Sequence, residues 1–113
     1  MSQITTHILD TAQGCPAEGV QLELAMLIDG TWQTLAKGTT NTDGRVADLL
    51  PSDQVLPAGR YRMRFELELY LLREGAPVFY PRADIEFMVA DGGEHYHIPL
   101  LLSPFGYSTY RGS

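Results

Sequence analysis

The stretch that decides the fold is Tyr61-Arg62-Met63-Arg64-Phe65-Glu66-Leu67, in which apolar and charged residues alternate without a break. Because successive side chains of a β-strand point to opposite faces, this alternation predicts a strand with one face in a core and the other in water. The same pattern runs through Val20–Met26 and Ile85–Val89. The chain is therefore predicted to be mainly β.

Turn signals separate these strands at short intervals. Asp29-Gly30 stands between two alternating runs and predicts a tight hairpin. Similar signals occur at Gly14-Cys15-Pro16, Asp43-Gly44 and Asp91-Gly92-Gly93. Such spacing is typical of an all-β sandwich.

Two segments depart from the alternating pattern. Residues 68–74 contain good helix formers and stop at Gly75, which predicts one short helix. Ile98–Leu102 is apolar on both faces, which suits a strand that the core covers on one side and a partner on the other. Pro99 has no N–H to donate, so it should lie at a sheet edge or at an unpaired site.

Size and composition limit the function classes. With 113 residues, the chain is expected to form a single domain over residues 1–113, whose small-molecule site is a surface groove or lies between subunits. One cysteine argues against a disulfide framework and a Cys-rich zinc site, and a net charge of −6 argues against nucleic-acid binding. No apolar run is long enough to span a membrane, and the first residues show no secretory signal, so a cytoplasmic location is expected.

The three histidines, His7, His95 and His97, are the main candidates for chemistry. His95 and His97 are two residues apart in a strand, so both should project from one face. Three interpretations stay open on pattern alone. The histidines are structural, they form a zinc site with an open position, or they act as general acids and bases near neutral pH.

Arg45 and the last ten residues are further candidates. Arg45 follows the turn Thr42-Asp43-Gly44 and should begin the next strand, either as a solvated cation or as a fixed guanidinium that holds an anion. Residues 104–113 carry three aromatic residues and an arginine, unlike a frayed terminus. We expect them to continue as a strand that fixes Tyr110, Arg111 and Ser113 in place, as part of a site or only as an edge or oligomer contact.

Two motifs at the ends of the chain carry a family resemblance. The opening Ile4–Asp10 with Gly14-Cys15-Pro16-Ala17, and the long closing segment His95–Ser113, resemble the transthyretin superfamily. The final Tyr110-Arg111-Gly112-Ser113 resembles the enzymatic branch of that superfamily, the 5-hydroxyisourate hydrolases. The resemblance spans essentially the whole chain and is most specific at its two ends.

This resemblance implies a fold, a reaction and a set of site residues. The fold is a transthyretin-like sandwich of two four-stranded sheets with one short α-helix, assembled as a homotetramer from two dimers with active sites facing a central channel. The reaction is hydrolysis of 5-hydroxyisourate, a small-molecule substrate from urate degradation, without metal or organic cofactor. The implied catalytic residues are His7, Arg45, His97 and Ser113, and the implied substrate-binding residues are His7, Arg45, Tyr110 and Arg111.

The chemistry of these residues fits such a reaction. Amide hydrolysis needs a base for water, a group that stabilises the oxyanion and a proton for the leaving nitrogen. His7 and His97 could share the acid and base roles, while His95 matches no family role and is expected to be structural. A carrier of an apolar ligand and a zinc hydrolase that uses the three histidines remain as alternatives.

Overall fold

The computed structural model describes residues 2–113. Its strands are β1 (Ile4–Asp10), β2 (Cys15–Pro16), β3 (Gln21–Ile28), β4 (Thr31–Thr39), β5 (Gly59–Glu66), β6 (Arg82–Val89), β7 (Tyr96–Ser103) and β8 (Gly106–Thr109), and its helix is α1 (Glu68–Arg73). The strands form two four-stranded sheets in the orders β2-β1-β7-β8 and β4-β3-β5-β6. The predicted all-β sandwich with one short helix is confirmed.

The core between the sheets is made by the alternating faces that the sequence predicts. Tyr61, Met63, Phe65 and Leu67 are all 0% exposed. Residues of the other sheet, among them Leu100, belong to the same buried cluster. Because burying one large apolar side chain contributes roughly 1.5–3 kcal/mol, these two periodic faces are a major source of stability.

The predicted helix and hairpin are also confirmed. Helix α1 covers Glu68–Arg73, buries Tyr70 and Leu71, and is followed by Gly75 at φ +68°. Asp29 and Gly30 join β3 to β4 with φ values of 52° and 77°. Two successive positive φ angles are what a two-residue hairpin loop of type I′ requires, and Asp-Gly adopts them at low strain.

The expectation that Arg45 begins a strand is wrong. Arg45 forms only an isolated antiparallel bridge with His7 of β1, and the next strand starts at Gly59. The Asn41 side chain explains the local geometry, because its Oδ1 accepts hydrogen bonds from the backbone N–H groups of Asp43 and Arg45 at 2.9 and 3.1 Å. Residues 41–45 therefore form a turn held by Asn41 and do not pair as part of a β-strand.

Pro99 lies in an internal strand and not at an edge, since β7 pairs with β1 on one side and β8 on the other. Its N position nevertheless falls at an unpaired site, which was the second of the two expected possibilities. The ladder with β8 ends at the pair Leu100↔Thr109, and the same register returns only as a bridge between His97 and Gly112. The last residues therefore stay beside β7 across a gap at Pro99.

Candidate active site

A cavity of about 470 Å³ lies on the outer face of the sheet β2-β1-β7-β8. Four separate segments contribute to it: β1, the turn after β4, the start of β7 and the end of the chain. The lining residues are Thr5, Thr6, Asn41, Arg45, Val46, Ala47, His95, His97 and Ser113. It is an open groove on the surface of the chain.

The parallel pairing of β1 with β7 places the histidines. Thr5 and His7 are half-buried and alternate with fully buried neighbours, so they share the outer face of β1. Thr5 lies opposite His97 in the register, and His7 lies opposite Pro99. His7 also bridges to Arg45, and it lies beside the cavity rather than in its lining.

Thr5 joins two imidazole rings. Its Oγ1 is 2.8 Å from His95 Nε2 and 2.8 Å from His97 Nδ1. The two rings are stacked with their centroids 6.4 Å apart and an interplanar angle of 21°. His95, which the sequence leaves as structural, therefore lies in the cavity next to His97. Thr5 is absent from the sequence-based candidates, although its position two residues before His7 on a strand already places it on the same face.

Arg45 differs from the other arginines in residues 2–113. Each of the other six forms an ion pair with an acidic side chain: Arg60, Arg62, Arg64, Arg73, Arg82 and Arg111. Within the same part of the chain, Arg45 forms none. Because it lines the cavity, its guanidinium is available there for an anionic ligand.

The surroundings of His7 and His97 lower the pKa of both rings. Burial and the nearby Arg45 cation lower the pKa of His97, and His95 and His7 add to this effect, against a hydrogen bond with the Thr5 backbone. Burial and Arg45 likewise lower the pKa of His7, partly offset by Asp43. Both pKa values fall below the ordinary 6.5, so near neutral pH each ring has a nitrogen that can accept a proton.

The end of the chain holds Ser113 in the cavity and packs against His97. The Gly112 N–H donates a hydrogen bond of 2.8 Å to the His97 carbonyl oxygen. A Cβ atom at position 112 would lie 2.5 Å from His97 Cδ2, so only glycine allows this approach. The ring of His97 is therefore held on its Nδ1 side by Thr5 and on its Cδ2 side by the Gly112 backbone.

Two of the expected substrate-binding residues lie outside the cavity lining. Tyr110 is 59% exposed. Arg111 is one residue from Gly112, so it points to the other side of the sheet, where its guanidinium lies 3.3 Å from the Glu94 carboxylate and 4.3 Å from the centroid of the Tyr96 ring. One of its nitrogens also donates to the His95 carbonyl oxygen at 3.3 Å.

In residues 2–113, no group of three or more His, Cys, Asp and Glu side chains has an arrangement that could hold a metal ion. Over the same residues, the helix α1 lacks the length and apolar character that a membrane crossing requires.

Known proteins are similar to this chain in sequence and in fold. A profile described as the HIUase/Transthyretin family matches residues 4–112. The chain belongs to this family. Among the curated relatives is mouse 5-hydroxyisourate hydrolase, which is 43% identical over 99% of this chain and 96% of its own length.

Solved structures of the HIUase/Transthyretin family superpose closely. The 5-hydroxyisourate hydrolase of Klebsiella pneumoniae matches with a TM-score of 0.82 and 44% identity, over 97% of this chain and 98% of that one. Transthyretin from Sparus aurata matches with a TM-score of 0.92 and 34% identity, over 99% and 97% of the two chains. Because the hydrolase and transthyretin share the fold, the cavity and not the sandwich has to separate their functions.

Proposed function

We propose that this chain is a 5-hydroxyisourate hydrolase. It hydrolyses a cyclic amide bond of 5-hydroxyisourate to give 2-oxo-4-hydroxy-4-carboxy-5-ureidoimidazoline, a step of urate degradation towards allantoin. The observation that carries this proposal is the cavity that collects His97, Arg45 and Ser113 from three separate segments. The greater identity to hydrolases than to transthyretin agrees with it.

The histidines supply the base. Water attacks a ring carbonyl only if a group removes its proton, and a neutral imidazole does this well near pH 7. His97 lines the cavity with one ring nitrogen, Nε2, not taken by Thr5, and His7 lies beside Arg45 at the cavity's edge. One ring takes the proton of water as the C–O bond forms. An imidazolium then gives a proton to the ring nitrogen as the C–N bond breaks, so no net proton remains on the protein.

Arg45 supplies the positive charge. As water adds, the carbonyl oxygen becomes an oxyanion, and a fixed guanidinium stabilises that charge more than it stabilises the ground state. The same group can hold an anionic purine ring, because no acidic side chain in residues 2–113 forms an ion pair with it. Ser113, which lines the cavity, aligns substrate or water, and Tyr110 contacts substrate from the exposed tail.

We also propose the domain organisation, the assembly and the location of the protein. Residues 1–113 act as one domain, and the protein works on a small molecule without cofactor in the cytoplasm. Two dimers form a homotetramer, and the open cavity of one protomer becomes an enclosed site where chains meet. Size exclusion of active protein tests the assembly, since a fully active monomer would contradict it, and cell fractionation tests the location.

The decisive experiment follows the substrate directly. Urate oxidase generates 5-hydroxyisourate, and its decay is followed by absorbance with and without the protein. We expect a decay much faster than the spontaneous background, and loss of most of the acceleration in His97→Ala and in a chain that lacks residues 110–113, with unchanged circular dichroism. Decay at the background rate with the intact protein would reject the function.

The same assay separates the two alternatives. A carrier would bind an aromatic ligand tightly without accelerating the decay. A zinc hydrolase would contain stoichiometric zinc and lose activity with a chelator. We expect weak aromatic binding and activity that a chelator does not change.

A further inference from the structure

We propose that the Thr5 hydroxyl couples His95 and His97 so that both neutral rings carry their proton on the same type of nitrogen, Nδ1, which leaves His97 Nε2 as the base in the cavity. The choice of Nδ1–H over Nε2–H and the kinetic consequence rest on the proposed hydrolase function, whereas the coupling itself rests on the two hydrogen bonds of Thr5. Thr5 acts as a positioning residue, since it works through His97.

The coupling follows from the two contacts of a single hydroxyl. Thr5 Oγ1 is 2.8 Å from a ring nitrogen of His95 and 2.8 Å from one of His97. A hydroxyl carries one proton, so it donates to one ring and accepts from the other. If both ring nitrogens lacked protons, one lone pair would face the oxygen at hydrogen-bond distance with no proton between them. In residues 2–113 the two rings are the only hydrogen-bond partners of Thr5 Oγ1, so its proton points to one ring and the other ring donates to the oxygen. Exactly one of the two rings therefore donates to Thr5.

The two contacts use different nitrogens, Nε2 of His95 and Nδ1 of His97. If Thr5 donates to His97 Nδ1, then His97 keeps its proton on Nε2, and His95 must donate from its own Nε2. If Thr5 donates to His95 Nε2, then His95 keeps its proton on Nδ1, and His97 must donate from Nδ1. In both neutral states the rings share a tautomer, either both Nε2–H or both Nδ1–H.

Only the second state gives His97 a basic nitrogen in the cavity. The Nδ1 side of the ring is occupied by Thr5 and the Cδ2 side is packed against Gly112, so Nε2 is the ring nitrogen left for water. When Nε2 takes a proton from water, the Nδ1–H proton can pass to Thr5 Oγ1 as the Thr5 proton passes to His95 Nε2. His97 is then neutral again and His95 is the imidazolium, and the reverse transfers return the proton to the leaving nitrogen. No proton is created or lost in either direction.

Moving the charge to His95 also removes it from the ring whose charged form Arg45 disfavours. Arg45, His7 and His95 are the charged or titratable groups that act on His97, and all three lower its pKa. A base whose conjugate acid is destabilised by a neighbouring guanidinium benefits when the positive charge is shared with a second ring. His95 thus has a function that its place just before β7 does not reveal.

The test uses conservative substitutions at both ends of the coupling. Thr5→Val removes the hydroxyl and keeps the shape, and Thr5→Ser keeps the hydroxyl. His95→Phe removes the nitrogen, and His95→Gln keeps a polar amide near the position of Nε2. Thr11→Val is the matched control, because it also removes a hydroxyl of the same end of the chain, one that donates to the Leu102 carbonyl outside the cavity.

Kinetics give the first readout. Thr5→Val and His95→Phe should lower kcat by about 10- to 100-fold, a part of the roughly 10²- to 10⁴-fold that a general base contributes, while KM changes less than about threefold. Thr5→Ser should recover most of the loss, and Thr11→Val should match the original protein. His95→Gln should recover only part of it, because an amide can hold the hydrogen bond with Thr5 but cannot take up the proton. Equal losses in Thr5→Val and Thr5→Ser would overturn the proposal.

Nitrogen-15 spectra of the imidazole rings give a readout that needs no substrate. In alkaline buffer, we expect both His95 and His97 as Nδ1–H in the original protein and in Thr5→Ser, and the Nε2–H form that free histidine prefers at both positions in Thr5→Val. Opposite tautomers on the two rings, or Nε2–H at His97 in the original protein, would overturn the proposal. If the original protein shows both Nδ1–H tautomers but does not accelerate the decay of 5-hydroxyisourate, the coupling stands and the proposed function fails.

Discussion

The outer faces of the two sheets carry similar polar residues but use them differently. On the sheet β4-β3-β5-β6, Arg64 lies 2.8 Å from Asp84 and 4.0 Å from Glu23, so positive and negative charges neutralise each other. On the sheet β2-β1-β7-β8, Arg45 and His97 line a cavity with no Asp or Glu side chain among its lining residues. A paired charge contributes a little to stability, whereas an unpaired one is available to a ligand.

The largest expected effect comes from exchanging one arginine on each face. Arg45→Ala should lower kcat/KM for 5-hydroxyisourate by about 10²- to 10³-fold, the usual loss when an oxyanion-stabilising group is removed. Arg64→Ala should leave the rate within about twofold, because its charge is already paired on the opposite face. Comparable losses in the two variants would show that the difference between the faces has no functional meaning.

The second-largest effect is expected from alanine at Gly112 in the tail, with alanine at Gly106 in β8 as its comparison. Gly112→Ala should lower activity by about 10- to 100-fold, because the added Cβ would lie 2.5 Å from His97 Cδ2 and displace the ring or the tail. Gly106→Ala is the control, since a Cβ there meets only Ser103 Oγ at 3.8 Å. The decay assay with both proteins checks this, and an active Gly112→Ala protein would contradict the packing argument.

A third prediction concerns the charge state of the histidines. Arg45 disfavours the imidazolium form of His97, so Arg45→Met should raise the His97 pKa towards 6.5. Activity that needs neutral His97 should fall at low pH, with an apparent pKa below 6.5 in the original protein. NMR titration of the ring protons measures the shift. Arg64→Met should leave it unchanged, and a downward shift in Arg45→Met would have the wrong sign.

The smallest effect is on the stability of the paired face. The hydrogen bond from Arg64 lowers the pKa of Asp84, so the pair stabilises the fold above the unfolded pKa of the carboxyl and this contribution is lost as the pH falls through the folded one. Asp84→Asn should lower the free energy of unfolding by about 0.2–1 kcal/mol at neutral pH. Urea unfolding measures the difference, which should shrink on acidification and not grow.

Patterns of near neighbours predict the fold well. The alternation in Tyr61–Leu67 predicts a buried face, and Asp29-Gly30 predicts the hairpin, because both depend on geometry within a few residues. The expectation that Arg45 starts a strand fails because the Asn41 side chain closes the turn around it. The contact from the Asp43 N–H to Asn41 is an Asx turn, which asparagine favours, so Asn41-Thr42-Asp43-Gly44 carries a local signal for this loop.

The site is less accessible to sequence reasoning because it depends on register across the chain. Thr5 meets His97 only through a parallel pairing of strands about 90 residues apart, and single-residue patterns do not fix that register. The orientation of Arg111 is different, since it could be inferred. Once Gly112 is placed beside His97, alternation along a strand puts Arg111 on the opposite face.

The gap at Pro99 divides the end of the chain into two parts that are held unequally. The β8 strand, Gly106–Thr109, is secured by a ladder, whereas residues 110–113 are held by one backbone hydrogen bond at Gly112 and the contacts of Arg111. Detaching this short segment takes less free energy than unfolding the sandwich. Warming should therefore detach Ser113 from the cavity and abolish activity at temperatures where the two sheets are still intact.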